Sequence, residues 1–296
     1  MKKLLLLLLI AGIFSGCDTY SQDDYTEQYV VQGYLGALAT LPRISLSKTV
    51  PIDEYYDLNQ AAVSDAQLTV SLLDANGNVE KSFAYVTDPD SVSLFKPLDT
   101  QTLVLPNRTY ALHVTFPNKP DVITAKTVIP DTMKVLRSNG NSFVYQQNPQ
   151  YELALTRSLN PNRQSFFVFS VDGQEKKVDN LVPIWHPDTT PLKDRKVPEM
   201  YSSPIINESN YLAPDGTVKV QLPWVTIVYY GRNKVITRVV DDAYYNFFRT
   251  QSVQQGGSTL SPGEIPNAAT NIIGGTGVFG SFASVETEIY VTRSRN

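Results

Sequence analysis

The side chains that carry most enzymatic and metal chemistry are scarce in this chain. Its 296 residues hold two histidines, His113 and His186, and one cysteine, Cys17. Cys/His zinc clusters, Cys–His nucleophile pairs and internal disulfides all need more of these residues than are present. Trp185-His186-Pro187-Asp188 sets one imidazole beside one carboxylate; with no second partner in reach by sequence, it reads as loop packing rather than an acid–base pair. His113 falls in an alternating run on the face of Ala111 and Thr115, the position of a half-exposed strand residue. No G-x-S-x-G elbow occurs. Asp53, Glu54 and Asp57 crowd the loop after Pro51, where a calcium ion and plain solvation are both open. Glycosidase chemistry there would need a facing geometry that spacing does not supply. Gly275-Thr276-Gly277-Val278-Phe279-Gly280 fits G-x-G-x-x-G, but a strand rather than a helix follows it. It therefore reads as a tight glycine turn before the last strand, not a dinucleotide site. No catalytic set, metal or cofactor is expected, and the chain is not expected to be an enzyme.

The elements that position these residues begin with a leader. Lys2 and Lys3 precede an apolar run from Leu4 to Phe14, broken by Gly12. That run is shorter than the roughly 20 residues a membrane-spanning helix needs, and it reads as a signal peptide over residues 1–16. Phe14-Ser15-Gly16-Cys17 resembles a bacterial lipobox, with Phe14 where Leu is usual; the resemblance implies acylation of Cys17. Several acyl chains, at about 0.8 kcal/mol per buried CH₂, make a stable anchor. The following segment to residue 28 is polar and acidic, a flexible tether that also resembles the surface-export signal of Bacteroidota lipoproteins.

Strand patterns then fill the chain. Tyr29 to Leu35, Arg43 to Lys48, Gln67 to Leu72, Val79 to Val86, Thr109 to Phe116 and Val122 to Ile129 are β-branched, aromatic or alternating runs. Asn76-Gly77 marks a hairpin between the third and fourth. About seven strands in about 100 residues suit an immunoglobulin-like β-sandwich over 29–131. Tyr151 to Arg157, Ser165 to Val171, Val225 to Tyr230, Lys234 to Val240 and Ser284 to Thr292 continue the pattern into a second β-rich domain, 132–296. One helix is expected at about 241–255, with Asp241 and Asp242 as caps and Tyr244, Phe247 and Phe248 on one face. Asp172 to Pro214 holds six prolines and little periodicity, as a functional loop would. Trp185, His186, Met200 and Tyr201 are its candidate binding residues, joined by Gly274, Gly275, Gly277 and Gly280, where backbone can approach a partner closely.

Composition bounds the rest. With 42% hydrophobic, 10% aromatic and 18% charged residues, the chain can bury a core. The 25 basic and 29 acidic residues give a net charge of −4, and no Lys/Arg block occurs, so nucleic acid is not an expected partner.

Several segments together resemble one family. They are the lipobox, Tyr29-Val30-Val31-Gln32-Gly33-Tyr34-Leu35, Ile44 to Pro51, Ala66 to Val70, Thr124 to Pro130, Asp241 to Tyr245 and, most specifically, Asn271-Ile272-Ile273-Gly274-Gly275-Thr276-Gly277-Val278-Phe279-Gly280. The chain resembles domain-of-unknown-function family 4249 from Cys17 almost to its end. That resemblance implies a Bacteroidota lipoprotein encoded near TonB-dependent receptors, with no catalytic residues to carry over. The expectation is an outer-membrane, surface-facing lipoprotein that binds or assists in TonB-dependent uptake, with a receptor of that class as partner and its ligand unknown. The alternative is a structural or adhesive surface lipoprotein. A β-scaffold hydrolase is a third reading, which would need two facing carboxylates. Asp90-Ser91-Val92, Asp131-Thr132-Met133 and Asp188-Thr189-Thr190 also resemble a Bacteroidota O-glycosylation sequon, which implies Ser91, Thr132 and Thr189 as acceptors.

Overall fold

Alternation of apolar and polar residues builds nearly every element of the computed structural model, which describes residues 25–51, 54–117, 119–158, 164–185, 199–254 and 267–294. The signal peptide, Cys17, and residues 18–24 of the tether lie outside the described residues. The first half holds β1 (Tyr29–Gly36), β2 (Ile44–Lys48), β3 (Gln67–Leu73), β4 (Val79–Thr87), β5 (Leu94–Pro97), β6 (Thr109–Phe116) and β7 (Lys119–Val128). The Asn-Gly hairpin forms as expected. Asp74 Oδ1 accepts from the amides of Asn76 and Asn78 at 2.9 and 2.8 Å, and Gly77 turns the chain at φ +84°.

The second half holds β8 (Val135–Ser138), β9 (Ser142–Val144), β10 (Glu152–Leu155), β11 (Phe166–Gly173), β12 (Tyr201–Ser202), β13 (Ile206–Asn207), β14 (Val218–Gln221), β15 (Gly231–Val240) and β16 (Thr276–Thr292). A helix, Asp242–Ser252, falls where the capping residues place it, with Asp241 as N-cap. The fold is mainly β, in two sheets. Among the described residues no helix is long and apolar enough to cross a membrane.

The large sheet runs β12-β11-β15-β16-β1-β2-β5-β4-β3-β6-β7, and the small one β14-β10-β8. An immunoglobulin-like sandwich would divide the first seven strands between two sheets. Here β5 pairs with both β2 and β4, so they form one hydrogen-bonded path. That path curls: Thr124 of β7 bridges Ile273, just ahead of β16, on the far side of β1. Inside the curl lies a core that includes Val31, Leu46, Val70, Phe95, Leu112 and Ile123, together with Ile272 and Phe279. A second core, between the two sheets, includes Leu153, Phe167, Phe169, Val235, Val239, Ile289 and Val291.

One strand serves both. Residues 276–282 of β16 pair in parallel with β1, and 282–291 pair antiparallel with β15. Phe279 therefore packs in the first core while Ile289 and Val291 pack in the second, so the 132–296 segment contributes to both. A buried carboxylate ties the junction. Asp241 accepts from the amides of Tyr244 and Ser281, both at 3.0 Å, and from Thr127 Oγ1 at 2.6 Å.

Three local expectations change. Val225 to Tyr230 is not a strand; Trp224–Thr226 makes a 3-10 turn after Pro223, whose carbonyl accepts from both the amide and the hydroxyl of Thr226. The stretch from Asp172 to Pro214 is not wholly irregular, since β12 and β13 pair with β11. The glycine-rich motif is a turn ahead of the last strand only at Gly274 and Gly275; Gly277 and Gly280 lie inside β16.

A groove between the outer sheet face and the helix

The groove starts from alternation in β11 and β15. Phe167, Phe169, Val171, Val235 and Val239 point into the second core. Their neighbours Val168, Ser170 and Arg238 face the other way, and Val168 sits directly opposite Arg238 in the ladder. The helix covers this outer face. Its start is fixed by Asp241, and it can lie close because Gly280 has no side chain: a Cβ there would stand 3.2 Å from Tyr244.

Helical spacing then sorts the rings. Tyr244 and Phe248, four residues apart, stack with centroids 4.6 Å apart, and both meet Tyr34 of β1. Tyr245 stacks on Phe166 at 3.8 Å, and Arg249, one turn on, sits with its guanidinium 6.0 Å from the Tyr245 ring. The opposite wall is the segment from Met200 to Ile205. Ser202 holds it to Ser170 at 2.9 Å, and Ser203 Oγ accepts from the Phe169 amide at 2.9 Å. Together these residues enclose about 630 Å³, a volume within the ordinary range of small-molecule sites.

The electrostatics are one-sided. Arg238 Nη1 donates to Ser170 Oγ at 3.1 Å, and its guanidinium lies 5.7 Å from the Phe282 ring. A guanidinium has five N–H donors, so one acceptor leaves most of them unmet. Among the described residues no carboxylate lines the groove, and neither Arg238 nor Arg249 has a carboxylate partner. Burial raises the Tyr34 phenol, and the neighbouring Tyr244 raises it further. Burial likewise raises Tyr244, with Arg238 pulling the other way. Both phenols stay neutral at ordinary pH. The groove thus offers ring faces, hydroxyls and two cations.

Of the residues singled out by sequence, Met200 lines this groove and is 40% exposed. Trp185 and Tyr201 do not; they pack edge to face at 6.2 Å beside a small cluster of Leu181, Val228 and Tyr229. Trp185 Nε1 donates to the Val225 carbonyl at 3.1 Å, which satisfies the indole within its own chain. His186, Asp188 and the acceptor Thr189 lie outside the described residues, as does Asp53. Ser91 and Thr132 are half-buried, and His113 is exposed on the outer face of β6.

The glycines approach backbone, but that backbone is their own chain's. A Cβ on Gly274 would stand 2.3 Å from the Val122 carbonyl oxygen, on Gly275 2.6 Å from that of Tyr29, and on Gly277 2.1 Å from that of Val31. Gly280 alone of the four touches the groove, through the helix it admits. Sequence reading missed Arg238, Arg249 and Tyr245. Their signal was present: Arg238 interrupts an apolar strand at an outward position, and Arg249 follows Tyr245 by one helical turn.

No curated protein matches the chain. Among solved structures, trypsin-activated alpha-2-macroglobulin from Escherichia coli is 11% identical, covering 90% of this chain and 16% of its own, with a TM-score of 0.21. A tetra-tandem repeat in the extending region of a large adhesion protein is 10% identical, over 90% of this chain and 50% of its own, at 0.24. The three N-terminal domains of the bacteriophage RB49 highly immunogenic outer capsid protein are 8% identical, over 91% and 71%, at 0.22. This chain spans well under two thirds of the first two, and scores this low identify no shared fold. The family model for "Domain of unknown function (DUF4249)" matches residues 18–288, nearly the whole chain beyond Cys17, and the chain belongs to that family.

Proposed function

We propose that this protein is a lipid-anchored outer-membrane lipoprotein that binds a small ligand as a non-catalytic component of a TonB-dependent uptake system. The observation that carries the binding role is the groove over β11 and β15, where ring faces, four serines and two guanidinium groups converge without an acid–base pair. Anchoring rests on the Gly16-Cys17 junction after a short apolar run. The uptake role rests on the resemblance of the lipobox and the glycine-rich motif to lipoproteins encoded near such receptors. Ser91 and Thr132, with Thr189, are proposed glycan acceptors on the exported chain.

The test is a pair of measurements on cells. A clickable palmitate should label the protein, and Cys17→Ala should abolish that label. A tagged protein purified from detergent-solubilised membranes should carry a TonB-dependent receptor with it. An unlabelled wild-type protein removes the anchor. Recovery of no receptor replaces the uptake role with the structural or adhesive one.

A further inference from the structure

We infer that the groove selects a soluble organic anion with a planar aromatic body, its acidic group held by Arg238 and its ring laid against Tyr244, Tyr245 and Phe248. This rests on the groove being a ligand site and adds the ligand's chemistry. The charge of the groove favours an anion. Arg238 is half-buried on the floor, donates to one hydroxyl and has no carboxylate partner among the described residues. A carboxylate, sulfonate or phosphate on that fork would make charge-assisted bonds that no residue of the groove supplies. Arg249, exposed at the rim, adds a second positive charge and steers anions inward. Neutral ligands would leave the Arg238 donors unmet in a partly dry site, and cations would be repelled.

The shape of the groove favours a flat ring. The helix wall presents aromatic rings, and it shares the groove with Met200, a flexible thioether that adapts to ring edges. Tyr244 meets Tyr34 edge-on and Tyr245 stacks on Phe166, so these rings are held in place before any ligand arrives and a flat partner gains contact with little ordering. An aliphatic tail would make less of such walls.

The experiment uses full-length lipidated protein in phosphatidylcholine nanodiscs and the photoprobe 4-benzoylbenzoate, with 4-benzoylbenzamide as its neutral isostere. Irradiation followed by peptide mapping should place the carboxylate probe on Met200, Tyr244 or Phe248. Labelling there should exceed that by the amide about tenfold, the scale of one charge-assisted hydrogen-bonded contact. Excess 2-naphthoate should abolish it. Arg238→Gln, which keeps a donor for Ser170, should erase the preference for the carboxylate, and the exposed Arg249→Gln should reduce it less. Equal groove labelling by both probes would overturn the anionic ligand and leave the groove as a ligand site. Label scattered with no preference for the groove would overturn both. Displacement by phosphatidylglycerol vesicles but not by 2-naphthoate would overturn the soluble ligand in favour of a lipid.

Discussion

Two concavities lie on the outer surface of the same large sheet, one over each half of the molecule. The trough on the first half encloses about 800 Å³ over β3, β6 and β7, more than the groove over β11 and β15. Its floor is Thr69, Ser71, Ala111 and Thr124, small side chains set among the exposed His113 and Lys126, and among the described residues no aromatic ring but that imidazole lines it. The smaller groove is walled on one side by a helix and its aromatic rings, with a half-buried guanidinium on its floor. Size does not set the two apart. Convergence of unmet donors with pre-stacked rings does.

The largest expected effect tests what holds the two halves together. Gly277→Ala places a Cβ 2.1 Å from the Val31 carbonyl oxygen in a residue at φ +103°, within the strand both cores share. It should cost more than about 4 kcal/mol in urea unfolding. Gly77→Ala, also at positive φ but with open space around it, should cost about 1 kcal/mol. Similar costs at the two sites would break the claim that close approach, rather than backbone conformation alone, fixes the motif.

Next comes the strut between the halves. Asp241→Ala removes the helix cap, strands the Ser281 amide and leaves Thr127 Oγ1 with Ser281 Oγ alone, for a loss of about 3 kcal/mol. A double-mutant cycle with Thr127→Val should show coupling of about 1 kcal/mol or more. Additive losses would mean that β7 and the helix are held independently.

A smaller effect separates the two concavities directly. His113→Ala and Lys126→Ala should leave groove labelling by 4-benzoylbenzoate within about twofold of wild type, where Arg238→Gln loses about tenfold. Loss on changing the trough would merge the two into one electrostatic field.

The smallest effects are in pH. Tyr34 and Tyr244 hold their protons above the ordinary phenol value of about 10. The unfolded chain releases those protons first, so their stability is fully present below about pH 10 and falls as pH rises beyond it. Asp74 and Asp99, in turns of the first half, are held below the usual carboxylate value by hydrogen bonds from Asn78 and Thr102 respectively. Their contribution is present above about pH 4 and is lost as pH falls. Tyr34→Phe should flatten the alkaline limb of a urea-midpoint profile, and Asp99→Asn the acid limb. An unchanged limb in either variant breaks the corresponding assignment.

Local pattern made the strands legible. Leu46 and Val70 stand between polar neighbours, and each faces a core. Asp241 followed by an amphipathic run announces its helix for the same reason: capping is settled within four residues. What stayed hidden depends on pairing across distance. The four residues of β5 carry too short an alternation to register, yet they decide that the first seven strands form one path. Gly274 to Gly280 looked like a flexible approach to a partner because the carbonyls they touch lie about 150 to 250 residues upstream. The groove was hidden likewise. Arg238 and Tyr245 are visible singly, and only the packing of the helix on the sheet brings them to one cavity.

The parallel pairing of β1 with β16 has a consequence for how the chain can mature. Val30 finds its partner Thr276 only after nearly 250 further residues have been made. A polypeptide made from its N-terminus delivers β1 first, with one edge unsatisfied until β16 arrives. The first half of an emerging chain cannot close piecemeal, because its closing strand lies nearly 250 residues behind β1. Until then β1 offers an open edge to any other extended segment, so a holding factor would have its greatest use in that interval. A chain stopped anywhere before residue 276 would lack closure of both halves at once.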